Sequence, residues 1–222
     1  MTVTQEAGTV EQERIDEVFT EQIDLICRRS ALINNVNLIT KDPQEMSDAL
    51  DMPADLHYFE QTGAAAGLPR LPSVSSYSGA ANVPADAKQA LETQKDVGTE
   101  IVDSNKDKVA DLAEKYKDGK IPKNEFEALI DRQAEQNIKA YTEQERATAA
   151  KLKQIGKGKS PEVQNAIVIA YKAVSNFFTK LWATIKKFFV DLVNKIQELW
   201  NEVKNWFKAA ANTIANWWNS LW

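Results

Sequence analysis

Apolar residues recur along this chain at helical spacing. Over residues 10–40, Val10, Val18, Phe19, Ile23, Ile26, Ile33, Val36 and Leu38 predict one helix. Residues 43–60 read as a turn and a short helix, interrupted by Pro43 and Pro53. Gln61 to Pro84 mixes Gly, Ser, Ala and Pro and reads as a linker. A charged helix follows over 85–117, with Leu91, Val97, Ile101, Val102, Val109 and Leu112 as its apolar line. It should stop at Asp118-Gly119, where glycine can close the last turn in the left-handed region. The next helix, 122–155, points Phe126, Leu129, Ile130, Ile138 and Tyr141 inward and ends in IGKGKS. Ser160-Pro161 is a helix start: serine suits the N-cap, and proline suits a first turn whose N–H needs no partner.

From Glu162 to Trp222 there is neither Gly nor Pro. One straight helix of that length would span about 90 Å, more than a compact chain of this size accommodates. A break is therefore expected. The polar, Ala-rich stretch 209–216 is the first candidate and Asp191–Asn194 the second. The expected fold class is all-α: an elongated helical bundle or set of helical hairpins with a long amphipathic C-terminal helix broken near 209–216. Four regions follow: an acidic helical region 1–60, a linker 61–84, a charged helical hairpin 85–159, and an aromatic-rich region 160–222.

The last region carries the sharpest pattern. Apolar residues at 171, 174, 178, 181, 185, 188, 192, 196, 199, 203, 206, 210, 214, 217 and 221 are separated only by steps of three or four, so they form one stripe. All six tryptophans fall within 182–222. Such a stripe is either the main core helix of a bundle or a face for lipid. Trp favours membrane interfaces, where the ring is buried and the N–H stays wet. Lysines predominate on the opposite face, as on helices that lie on anionic bilayers. The candidate membrane-contact residues are Phe177, Phe178, Leu181, Trp182, Ile185, Phe188, Phe189, Leu192, Trp200, Trp206, Phe207, Trp217, Trp218 and Trp222. The candidate headgroup ligands are Lys180, Lys186, Lys187, Lys204 and Lys208.

Charge sharpens this reading. The net charge of −5 hides a gradient. Residues 1–60 hold 13 acids and 4 bases, whereas residues 171–222 hold 7 lysines and 3 acids. Each charge at mid-bilayer costs roughly 2.5–3.5 kcal/mol, so Lys186, Lys187, Asp191, Lys195 and Glu198 forbid a lone span over 182–200. Residues 163–182 carry only Lys172 and Lys180 and are the best insertion candidate. A monomer should lie in the interface, and spanning needs several copies with polar faces turned to a water-filled lumen.

In outline the pattern over 85–222 resembles α-helical pore-forming bacterial toxins and effectors, though it has no signature motif. The resemblance implies a soluble bundle that shields an amphipathic element and releases it at a membrane. It also implies partners: membrane lipid, a cognate immunity protein, chaperone or secretion-machine component, and further copies of the chain. The N-terminus is acidic and polar and does not read as a Sec signal peptide, so synthesis in soluble form and export by a specialised secretion system are expected. The alternatives are a non-toxic lipid- or granule-surface coat and an oligomeric helical structural or interaction protein.

Catalytic chemistry finds little support. Cys27 and His57 are the only cysteine and histidine, and no P-loop, GxSxG, HExxH or CxxC occurs. Residues 114–130 are similar to the second half of an EF-hand, with Gly119, Ile121 and Glu125 in matching places. Tyr116 cannot replace a carboxylate there, and a plain helical corner is the better reading. No catalytic residue, metal site or cofactor is expected. Nucleic acid is not an expected partner, because the whole chain is acidic and the basic tail has a wide apolar face.

Overall fold

The computed structural model describes residues 3–39 and 82–222. The turn and short helix expected at 43–60, and all but the last residues of the 61–84 linker, lie outside the described residues. The described chain is all-helical: α1 (Val3–Ile39), α2 (Ala85–Lys117), α3 (Lys123–Gly156), α4 (Pro161–Asn194) and α5 (Val203–Leu221). A turn of helix at Ile196–Leu199 and a 3-10 turn at Trp200–Glu202 join α4 to α5.

Helices α2 to α5 form a four-helix bundle whose members alternate in direction. Gln94 meets Tyr141 and Tyr116 meets Phe126, so α2 and α3 are antiparallel. Glu145 meets Ser175 and Asp131 approaches Lys186, so α3 and α4 are antiparallel. Phe177 pairs with Trp217 and Phe188 with Trp206, which reverses α5 on α4. Helix α5 returns along α2, closing the ring. Helix α1 packs outside it, against α3 and α4, and runs parallel to α4.

The α2–α3 and α3–α4 corners follow from their glycines. At Gly119, φ is 70°. The Gly119 N–H donates to the Tyr116 carbonyl (3.0 Å) and the Lys120 N–H to the Lys115 carbonyl (2.9 Å), the paired bonds that end a helix on a left-handed residue. The region likened to an EF-hand is therefore a helical corner, and among the described residues no group of three His, Cys, Asp or Glu could hold a metal. At the second corner, Lys157 (φ −57°, ψ 128°) and Gly158 (φ 71°) make a type II turn, closed by the Lys159 N–H donating to the Gly156 carbonyl at 3.0 Å. That turn needs a positive φ at its third residue, which glycine supplies without strain.

The break in the C-terminal segment is a correction to the first expectation. It does not fall at 209–216, which lies inside the continuous helix α5. The chain leaves α4 after Asn194, at the second candidate, where Lys195 takes φ −126° and ψ 31°. Composition misleads at 209–216 because its polarity is periodic. Asn212 and Asn216 are exposed, while Ala210 and Ile214 are fully buried on the inner face. Alanine is also the strongest helix former, so the triplet Ala209 to Ala211 favours continuation.

Candidate functional site

The aromatic stripe becomes the inner face of the α4–α5 hairpin. Phe177, Phe178, Leu181, Trp182, Ile185, Phe188, Phe189, Leu192, Trp206, Phe207, Trp217 and Trp218 are all buried, and Trp200 and Trp222 partly so. In this structure the expected membrane-contact residues meet protein. The structure brings them together as layers rather than as a surface. Phe188 stacks on Trp206 with centroids 4.1 Å apart and planes 4° from parallel. Phe177 stacks on Trp217 at 4.1 Å and 10°. Phe207 meets Phe188 edge-on at 5.5 Å. Such pairs contribute beyond their buried area, about 0.5–1.5 kcal/mol each.

Lysines of α2 lie over three further tryptophans. The Lys88 ammonium lies 4.4 Å from the Trp222 ring, Lys95 5.4 Å from Trp218, and Lys117 3.2 Å from Trp200. These contacts run from the first turn of α2 to its last, over α5 and the 3-10 turn before it. The five candidate headgroup lysines differ in exposure. Lys187, Lys204 and Lys208 are exposed, Lys180 and Lys186 are half-buried, and Lys186 approaches Asp131 of α3 at 3.9 Å.

The core also holds polar groups that the stripe did not foretell. Glu145 of α3 is buried and accepts hydrogen bonds from the Ser30 and Ser175 hydroxyls, each at 2.7 Å. Burial pushes its pKa up to about 7, against the lowering effect of the two serines and Arg146. The Cys27 thiol and the Tyr171 hydroxyl lie beside it, and burial raises both of their pKa values. Asn137 donates to the Asn105 side-chain oxygen at 3.1 Å, and Gln94 to the Tyr141 hydroxyl at 2.6 Å. The indole N–H groups of Trp182 and Trp222, the Gln94 carbonyl oxygen and the Asn105 amide nitrogen are buried with no hydrogen-bond partner among the described residues. Each such orphan costs about 1–3 kcal/mol relative to a satisfied group.

A separate polar knot fastens α1. The Asp16 carboxylate accepts from the Gly158 N–H, at 3.0 Å to each oxygen, from Gln164 at 2.7 Å and from Gln12 at 3.0 Å. Burial works to raise its pKa, but these donors and the Lys157 charge outweigh it and hold the carboxyl below its usual range.

No helix among the described residues is long and apolar enough to cross a membrane. Comparison with protein-family models, with curated proteins and with solved structures finds no match.

Sequence reasoning missed three features: the lysine covers, the Glu145 cluster and the close seat of the Phe178 ring on Gly98, where a β-carbon would come within 2.7 Å of the ring's Cζ. Each joins residues from separate helices, so no local spacing announces it. Gly98 alone left a trace, as a glycine inside an otherwise strong helical pattern.

Proposed function

We propose that this protein is a membrane-active helical effector that stores its α4–α5 aromatic hairpin inside a water-stable bundle and turns it onto a bilayer. The observation that carries this reading is the set of orphaned polar groups on and against that hairpin, above all the Trp182 and Trp222 indole N–H groups. Packing satisfies their rings but not their N–H groups. A bilayer interface would satisfy both, because it wets the N–H while taking up the ring. The exposed Lys187, Lys204 and Lys208 would then face anionic headgroups. An ion-conducting defect would need several copies, since no helix among the described residues is long and apolar enough to span. A cognate immunity protein, chaperone or secretion-machine component would recognise the same hairpin.

The test is dye leakage from anionic vesicles, comparing the full chain with one ending before Ser160. Leakage by the full chain alone supports the reading. Equal leakage from both, or none from either at high protein-to-lipid ratio, contradicts it.

One observation favours a second reading, an oligomeric structural or coat protein: the aromatic face is almost wholly buried, as a bundle core would be. Expression in bacteria carrying a membrane-potential dye separates the two. A pore former depolarises the cells and a structural protein does not.

A further inference from the structure

Helix α1 buries Phe19, Ile23, Ser30, Ile33 and Asn34 against α3 and α4, yet it carries a second apolar line on its outer side. Val18, Leu25 and Leu32 are 51%, 63% and 58% exposed. They are spaced by seven residues, so they form a straight ridge about 21 Å long. Single exposed apolar residues are ordinary, but a heptad row of three on one helix is a contact surface in form.

Charge along the same side identifies what fits it. Glu11, Glu13, Glu17 and Glu21 are exposed on the N-terminal half, and Arg28 and Arg29 on the C-terminal half. Arg14, the one base among those acids, is already paired with Glu11 at 3.0 Å. A helix that is acidic before its centre and basic after it complements a reversed copy of itself. Two-fold symmetry then fixes the register. With Leu25 at the axis, Val18 faces Leu32 of the second copy. Helical spacing places Glu21 and Arg28 on the same flank of the ridge, and a two-fold axis keeps same-flank residues together. Glu21 of each copy therefore lies beside Arg28 of the other.

We propose that the protein self-associates into a two-fold dimer through antiparallel pairing of α1 helices, centred on Leu25, with Glu21–Arg28 pairs between copies. This is an isologous contact, in which one patch serves both subunits. A ridge of three side chains is well below the area of a standard stable interface, so micromolar affinity is expected. The inference does not depend on membrane activity.

Sedimentation equilibrium of the full chain up to about 0.2 mM tests it. The wild type should show a reversible monomer–dimer equilibrium. Leu25→Glu, which sets two like charges at the axis, should leave it monomeric with unchanged helicity. Glu21→Arg should weaken dimerisation about fivefold, and adding Arg28→Glu should restore it. In a Cys27→Ser background, Leu25→Cys should oxidise to a covalent dimer. A chain that stays monomeric throughout the range, a dimer indifferent to Leu25→Glu, or a charge swap that fails to restore association would each overturn the proposal.

Discussion

The ring of Phe178, on α4, rests directly on the α-carbon of Gly98, on α2. A β-carbon added at Gly98 would overlap the ring, coming within 2.7 Å of Cζ and closer still to Cε1. Phe178 is fully buried and hemmed in by Tyr141 at 4.9 Å and Phe177 at 5.4 Å between ring centroids, so it has nowhere to swing. Gly98→Ala should therefore destabilise the protein, although alanine is the better helix former. Overpacking costs about 1–3 kcal/mol against a helix gain of about 1 kcal/mol. Urea unfolding checks the sign. Gly98→Val should be worse, and Phe178→Leu should recover part of the loss in Gly98→Ala.

Glu145 gives the protein a pH dependence with a definite sign. Its folded pKa is about 7, above the ordinary 4.5. A raised carboxyl pKa means that the folded state holds the proton more tightly. The stabilising contribution is complete below about pH 4.5 and is lost as pH rises through 7, by roughly 3 kcal/mol. Glu145→Gln should flatten this part of the stability profile and be relatively more stable at pH 8 than at pH 5. Denaturant midpoints measured across that range decide it. If release of the hairpin follows bundle stability, vesicle leakage should rise with pH across 7 in the wild type, and this group does not act as an acid trigger.

Asp16 pulls the other way and only on α1. Its folded pKa lies below the ordinary carboxyl value, so its contribution is present above about pH 4 and is lost as pH falls through the folded value. Asp16→Asn should keep part of the hydrogen bonding to Gly158 but lose the charge, and Asp16→Ala should lose both. Amide hydrogen exchange is expected to quicken over α1 in the order wild type, Asn, Ala, with the α2–α5 bundle unaffected.

The lysines of α2 should act as weak clasps on α5 and on the turn that leads into it. Each Lys–Trp contact contributes about 0.5–1 kcal/mol at a partly exposed site. Replacing Lys88, Lys95 and Lys117 together by Met keeps the hydrocarbon stem and removes the charge. The triple variant should expose α5 to hydrogen exchange ahead of α3 and α4. Uniform exchange across the bundle would show that the clasps are unimportant.

Much of the architecture was legible in the chain. The apolar periodicity set out α2, α3 and the start of α4 because nothing in their context competes with it, and Gly119 and Ser160-Pro161 mark their ends by local backbone chemistry. The break was legible only as a choice between two places. What decided for Lys195 is the pairing of Phe188 with Trp206 and of Phe177 with Trp217, relations across 18 and 40 positions that no local window contains. For the candidate site, the stripe correctly grouped the aromatic residues on one face. It could not say what that face meets, since lipid and a second helix ask the same of a Phe or Trp side chain. Glu145 was unreadable for a related reason: it resembles every other acid on a charged helix until Ser30 and Ser175 arrive from elsewhere.

Tryptophan fluorescence of the full chain mixed with anionic vesicles whose acyl chains carry bromine shows whether the hairpin enters a bilayer. Bromine quenches only indoles that enter the hydrocarbon region. Strong quenching is expected, since all six tryptophans lie on the α4–α5 hairpin, its connection or the residue that follows it. Emission unchanged in intensity and wavelength at saturating lipid would contradict that expectation, and would leave the aromatic face as the core of a bundle.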